Sequence, residues 1–448
     1  MFFDTERPRF HPRLTEFQAV VLAGYGNRYT PSPLCDRDRL NVLTEDDNVP
    51  KALLPVANRP VICHVLDWLD KANIQDVIVV AHGAAGTRIS HTIRSLYTGP
   101  ANVDVIILSR ECEGSADALR QVKHHIKHDF ILMGCDLITE MDPYPLLDMH
   151  RLNDASLTAC LYTPVWESGM EPKDNNYGLY ACTDTNGRLL MLKQRIRGQE
   201  AVHVRMSMLQ QFPRVKMHTQ LQDAHVYMCK RWVVDVVVNN VKLQSFREDV
   251  VPLMAKAQYK RGYGERHGLT TISKQSTSVS QSMAVDMSTT YDDVTSDTLQ
   301  SEPRIYAYVI PSTYYTTRTN TVLTYSEANR HVTKNLTVAR VHRTAELSAK
   351  TQVGLDSLVG ESSRIDERCL VKKSVIGAHV MVGKNVKITN SIIMDNTVIE
   401  DNVKLDGCVV CQAVRIQEKA SLKDCTLGAN VAIVKETSAK NEQFGRDD

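Results

Sequence analysis

Two hydrophobic periodicities divide the chain. In the N-terminal half, apolar runs of strand length alternate with segments whose apolar residues recur at helical spacing. FQAVVLAG (Phe17 to Gly24) predicts a buried parallel strand, VICHVLDWLDKA (Val61 to Ala72) an amphipathic helix, and QDVIVVA (Gln75 to Ala81) the next strand. VDVIILS, SADALRQVKHHI and DFILMGCD repeat that order. Strands alternating with helices predict an α/β fold with a doubly wound, mostly parallel, Rossmann-like sheet. LTACLY, a turn at Asn186-Gly187 and HVYMCKRWVVDVVV extend it.

From Val341 the pattern changes. Aliphatic residues recur every six positions through Val371, then in a six-six-five rhythm: Ile376, Val382, Ile388; Ile393, Ile399, Leu405; Val410, Ile416, Leu422; Leu427, Ile433. Hexapeptide periodicity predicts a left-handed parallel β-helix of about five coils, each with three short faces whose aliphatic residues stack inward. Glycines that follow the aliphatic position, such as Gly360, Gly377 and Gly383, are expected to serve tight corners. Cys408 and Cys411 form a Cys-x-x-Cys, but Cys408 shares a ladder with Ser374, Ser391 and Cys425, and no second pair completes a zinc site.

Between the two patterns the composition shifts: residues 270–301 hold fifteen Ser or Thr in thirty-two. Such a segment buries too little to offset its ordering entropy. The expected division is a tail (1–13), an α/β domain (14–262), a disordered linker (263–302), a connecting strand and helix (303–340), a β-helix (341–435) and a second tail (436–448). Across 448 residues, 53 Lys and Arg against 52 Asp and Glu leave a formal charge of +1. That balance argues against direct nucleic-acid binding or a polybasic membrane dock. No apolar run reaches membrane-spanning length, and eleven scattered cysteines do not form a secreted framework, so a reduced, cytosolic setting is expected.

Candidate chemistry lies in the first domain. LAGYGNRYTP places Gly24, Gly26 and Arg28 in a loop after the first strand, where backbone N–H groups and a guanidinium suit a phosphate. VPKALLPVANRP follows, with Lys51 between prolines. Together these resemble the nucleotide-diphosphate-sugar pyrophosphorylases. The resemblance implies that Gly114 and Ser115 in GSADA lie at the base-binding turn and that Asp136 and Asp223 stand at the two magnesium positions. It also exposes departures: the loop is one residue short, MLKQR offers Lys193 without the expected Glu-Lys-Pro, and His225 replaces a glycine. The site is therefore expected to be degenerate, with no cofactor of its own beyond vestigial nucleotide or magnesium binding. The plainer alternatives are solvent-exposed cations at Arg28 and Lys51 and a turn-capping carboxylate at Asp136.

GSADALR, CDLITE, FPRVKMHTQLQDAHVY, YSEANRHV and VGLDSLVGESSRI are similar to the family of gamma subunits of eukaryotic translation initiation factor 2B. That resemblance implies a non-catalytic subunit of a cytosolic hetero-decameric guanine nucleotide exchange complex. Its partners would be the epsilon, alpha, beta and delta subunits, with initiation factor 2 as substrate. No HEAT-type exchange domain is expected after the β-helix. The rivals are an active pyrophosphorylase, for example one making GDP-mannose, and a hexapeptide acyltransferase using His379.

Overall fold

The computed structural model describes residues 16–24, 40–44, 49–108, 112, 114–166, 178–195, 202–260, 262–276, 303–336 and 339–445. In chain order the first domain contains β1 (Phe17–Ala23), β2 (Asp76–His82), β3 (Asn102–Leu108), β4 (Asp129–Gly134), β5 (Leu157–Tyr162), β6 (Leu179–Asp184), β7 (Leu189–Gln194), β8 (Val215–His218), β9 (Gln222–Cys229) and β10 (Ile305–Val309). Seven of these form one sheet in the order β10-β5-β9-β4-β1-β2-β3. β1 pairs in parallel with β2 and β4, and β9 enters antiparallel between β4 and β5. β6, β7 and β8 form a separate antiparallel sheet with β6 in the middle.

The helices are α1 (Val61–Lys71), α2 (Gly83–Leu96), α3 (Ser115–Val122), α4 (Tyr144–Leu152), α5 (Met206–Gln211), α6 (Trp232–Asn239), α7 (Val251–Ala257), α8 (Leu269–Ser276) and α9 (Val322–Asn335). Alternation along β1 sorts the two faces of the sheet. Ala19 and Val21 pack with α1 and α2 residues such as Leu66 and Ile89. Val20 packs on the other side with Leu119 of α3 and Val233 of α6. Apolar runs on both faces of a strand are what a helix-covered sheet requires.

Reading 263–302 as one disordered linker fails at its start. Tyr263–Arg266 forms a helical turn and α8 follows, with Leu269 fully buried beside α6 and α7 residues and Ile272 packed against them. Those two apolar residues, three apart, anchor a helix that the Ser/Thr count obscures. Residues 277–302 lie outside the described residues. The strand expected after them, β10, is an edge strand of the main sheet, parallel to β5.

The second domain is a left-handed parallel β-helix of three six-stranded sheets. Its first face runs from Glu346–Leu347 to Ala432–Ile433, its second from Gln352–Val353 to Ser438–Lys440, and its third from Leu358–Val359 to Gln443–Phe444. The coils thus continue past residue 435, giving six rather than five. Ala439 and Phe444 take the last inward positions, which a search for Val, Ile and Leu passes over.

The corners also differ from expectation. Left-handed backbone falls on asparagine more often than on any other residue type: Asn385, Asn390, Asn396, Asn402, Asn430 and Asn441 have φ between +53° and +60°. Asparagine tolerates that region better than most residues. Gly377 and Gly383 instead allow close approach between coils. A Cβ on Gly377 would lie 2.3 Å from Oδ1 of Asp395, whose carboxylate accepts the Ala378 N–H at 2.7 Å. The Ser/Cys ladder holds: Oγ of Ser357, Ser374 and Ser391 accepts the N–H one coil on, from Ser374, Ser391 and Cys408. Burial pushes the Cys408 and Cys411 thiols up to about 12, so both are inert side chains of the stack.

The two domains share a core. On the third face Val375, Ile392 and Val409 point outward yet are buried. Ile392 and Val409 join a cluster with Leu54, Val56, Tyr325 and Ala328. α9 begins at a capping box of Thr321 and Thr324, which satisfies its first N–H groups. Its Tyr325 hydroxyl donates to the Pro55 carbonyl at 2.6 Å, and Oδ1 of Asn329 accepts the Ala57 N–H at 2.9 Å. Ala57 and Asn58, at φ +50° and +61°, make the tight turn of a hairpin, from which Asn58 Nδ2 donates to the Ile376 carbonyl at 2.8 Å.

Candidate functional site

Asp136 follows β4 and is 2% exposed. Its Oδ2 accepts from Lys51 Nζ at 2.7 Å and from Arg318 Nη2 at 2.8 Å, while Arg318 Nε reaches Oδ1 at 3.4 Å. Lys51 comes from a 3-10 turn after Pro50 and also donates to Oδ1 of Asn320 at 2.6 Å. Thr319 closes the arrangement by donating its N–H to the Asp136 carbonyl at 2.8 Å. Burial alone would raise the pKa of Asp136, but Arg318 and Lys51 outweigh it and hold the carboxyl far below the ordinary range. Lys51 is thus a buried ion-pair partner, neither an exposed cation nor one free to meet a phosphate.

Asp223, at the start of β9, is equally enclosed. Its Oδ1 accepts the His225 N–H at 2.8 Å, and its Oδ2 accepts from the Tyr227 hydroxyl and lies 3.2 Å from Arg247 Nε. Burial opposes ionisation here too, and the Arg247 charge with the Tyr227 hydroxyl and His225 N–H donors reverses it, so this carboxyl is also held low. His225 has φ +53°, so the backbone keeps the conformation that a glycine would take there. Its ring lies near both carboxylates, with Nε2 3.9 Å from Asp223 Oδ2. Burial first and the Arg318 charge second lower its pKa to about 3, which leaves the imidazole neutral at pH 7.

Asp136 and Asp223 are therefore brought to one place, as the resemblance implied, but their oxygens are taken. Arg318, Lys51, Arg247 and Tyr227 occupy the donor positions a divalent ion would need, so the arrangement does not fit a resident magnesium. Among the described residues no group of three or more His, Cys, Asp or Glu side chains could hold a metal. Three cations face two carboxylates, which makes this an internal ion cluster.

The remaining site residues divide. Gly24 follows β1, with open space where a Cβ would stand. Gly26 and Arg28 lie outside the described residues. Gly114 precedes α3, and a Cβ there would sit 2.4 Å from the Gln244 carbonyl. Oγ of Ser115 accepts the Phe246 N–H at 2.9 Å, so this turn is docked on 244–246. Arg318, Asn320 and Arg247 belong to no motif of the sequence reading. Arg318 follows TYYTT, 182 residues after its partner Asp136, and only the pairing of Thr316–Arg318 with Leu137–Thr139 brings it there. His379 stands at an exposed corner of the β-helix at φ +56°.

Fold and site together define a nucleotidyltransferase-like domain joined to a left-handed β-helix. A nucleotidyl transferase family model matches residues 38–193, and a model of the eIF2B subunit epsilon LbH domain matches 339–439. The chain is 32% identical to translation initiation factor eIF2B subunit gamma of Schizosaccharomyces pombe over 96% of its length and 90% of the relative. It is 26% identical to the gamma subunit of Dictyostelium discoideum over 82% of its length and 89% of the relative. The epsilon subunit of S. pombe matches at 25% identity over 52% of the chain and 34% of that protein. The chain belongs to the eIF2B subunit gamma family, and these relatives do not favour the sugar-nucleotide pyrophosphorylase alternative.

Proposed function

We propose that the chain is a non-catalytic subunit of a guanine nucleotide exchange complex of translation initiation. It pairs with an epsilon subunit, assembles with alpha, beta and delta subunits, and helps to dock initiation factor 2 in the cytosol while GDP is exchanged for GTP. Its nucleotidyltransferase-like site is degenerate, and Gly24, Gly26, Arg28 and Lys51 of the phosphate segment and Gly114 and Ser115 of the base-binding turn are remnants of a nucleotide site. The observation that carries this reading is the Asp136 carboxylate sealed by Lys51 and Arg318. A carboxylate neutralised by two protein cations cannot also anchor the metal that phosphoryl chemistry needs. Among the described residues no helix is long and apolar enough to cross a membrane.

The test is co-expression with an epsilon-type subunit, followed by affinity capture and an exchange assay on initiation factor 2. Copurification that raises exchange over epsilon alone is expected, together with no pyrophosphate release from nucleoside triphosphates and sugar 1-phosphates in the presence of magnesium. Robust pyrophosphate release abolished by Asp136→Asn, or recovery only as a lone homo-oligomer, would overturn the reading.

A further inference from the structure

The near-neutral chain carries a surface of one sign. Residues 188–195, 202–218 and 256–260 contain eight Lys or Arg and no Asp or Glu. They build one small subdomain: β7, α5, β8 and the end of α7, wrapped around β6. The single carboxylate of β6, Asp184, is bound into its own turn by the N–H groups of Asn186 and Arg188 at 2.7 and 2.8 Å. Arg205 and Lys260 lie close enough to Lys256 that, after burial, their charges depress its ammonium pKa. Among the described residues, Arg205, Lys216 and Lys256 form no ion pair, and Lys260 rests only on the Tyr263 ring, 4.8 Å from its centroid.

Apolar side chains are exposed on the same subdomain. Met208 of α5 packs inward with Cys182, and Met217, Cys182 and Met191 stand opposite one another across the three strands. α5 therefore covers the sheet face that carries Met217. On its outer side Met206 is 68% and Leu209 39% exposed, and Met217 is 45% exposed on edge strand β8. Arg205, next to Met206, puts a cation at the border of the apolar group.

We propose that this face docks an acidic, amphipathic segment of a partner protein, with Met206, Leu209 and Met217 receiving its apolar side chains and Arg205 and Lys260 its carboxylates. Charge complementarity sets the sign of the occupant, because a cluster of like charges that no described carboxylate pairs favours an anion. The exposed apolar groups decide between anions. Single-stranded nucleic acid uses aromatic platforms for its bases, whereas flexible Met and Leu side chains adapt to aliphatic and aromatic residues of a peptide. The proposal does not depend on the subunit reading, since the ion cluster and the gamma-family relatives take no part in it.

The experiment is fluorescence anisotropy of the full chain with a labelled synthetic peptide of alternating Glu and Leu/Phe faces. The same peptide with Gln for Glu and a single-stranded RNA are the comparisons. The Glu peptide is expected to bind most tightly and to weaken with salt. Arg205→Glu with Lys260→Glu, and separately Met206→Ser with Leu209→Ser, should each weaken it at least about tenfold without changing the thermal melt. If either pair melts early, the exposed Met217→Ser alone serves, with a smaller loss expected. No binding by the unmodified chain, equal binding by the variants, or preference for RNA or the Gln peptide would overturn the proposal. Copurification with an epsilon subunit is read separately, so failure of either idea leaves the other standing.

Discussion

His225 carries two burdens, a left-handed backbone and a ring kept neutral beside buried guanidinium groups. Because its folded pKa, about 3, lies below its unfolded value, the unfolded chain takes up the proton first. Stability from this group is therefore lost as pH falls from about 6.5 towards 3, on the order of 1–2 kcal/mol by pH 5. Asp136 and Asp223 follow the carboxylate rule: their contribution is present above about pH 4 and is lost on further acidification. Urea unfolding at pH 7 and pH 5 should show the histidine loss, and His225→Asn, which keeps a residue at ease with positive φ, should reduce it. An unaltered pH slope would contradict the assignment. Asp136→Ala leaves Lys51 and Arg318 buried and unpaired, and a loss of about 3–5 kcal/mol is expected in the same assay. The sequence pointed to Lys51, Asp136 and Asp223 because short motifs surround them. It did not point to Arg318 or Arg247, whose role exists only through strand pairing and packing between distant segments.

Among the elements, the β-helix was legible because the inward positions up to Ile433 are filled by Val, Ile or Leu in a regular six-six-five rhythm, a signal carried within the local sequence. What stayed hidden was the division of labour between Gly and Asn. Both suit positive φ, and only coordinates reveal that Gly377 and Gly383 make room for a neighbouring coil while Asn396 and Asn402 turn the corner. The consequence is testable: Asn402→Val should lower stability by about 1–2 kcal/mol, and Asn402→Gly should leave it nearly unchanged, by thermal or denaturant melts. Helix α8 shows the opposite failure, since composition over thirty residues masked two apolar side chains that suffice to dock one short helix.

For the whole molecule, the joint between domains is a packed interface. Tyr325 is fully buried, joins the shared cluster and donates to Pro55. Tyr325→Ala should cost about 3–5 kcal/mol, and calorimetry should then show the β-helix and the first domain melting apart. A single transition shifted as a whole would mean that the remaining contacts still couple them. The phrase YSEANRHV drew notice in the sequence without revealing its task. Three of its buried members, Tyr325, Ala328 and Asn329, turn out to line the joint. The doubled aliphatics of the third face, Val375-Ile376, Ile392-Ile393 and Val409-Val410, carry a practical consequence for anyone dissecting the gene. A fragment cut near residue 340 would present Val375, Ile392 and Val409 to water as a continuous greasy stripe. Such a C-terminal product, about a quarter of the 448-residue chain, is destined for inclusion bodies or chaperones, so a proteolytic nick at that boundary acts as loss of the β-helix.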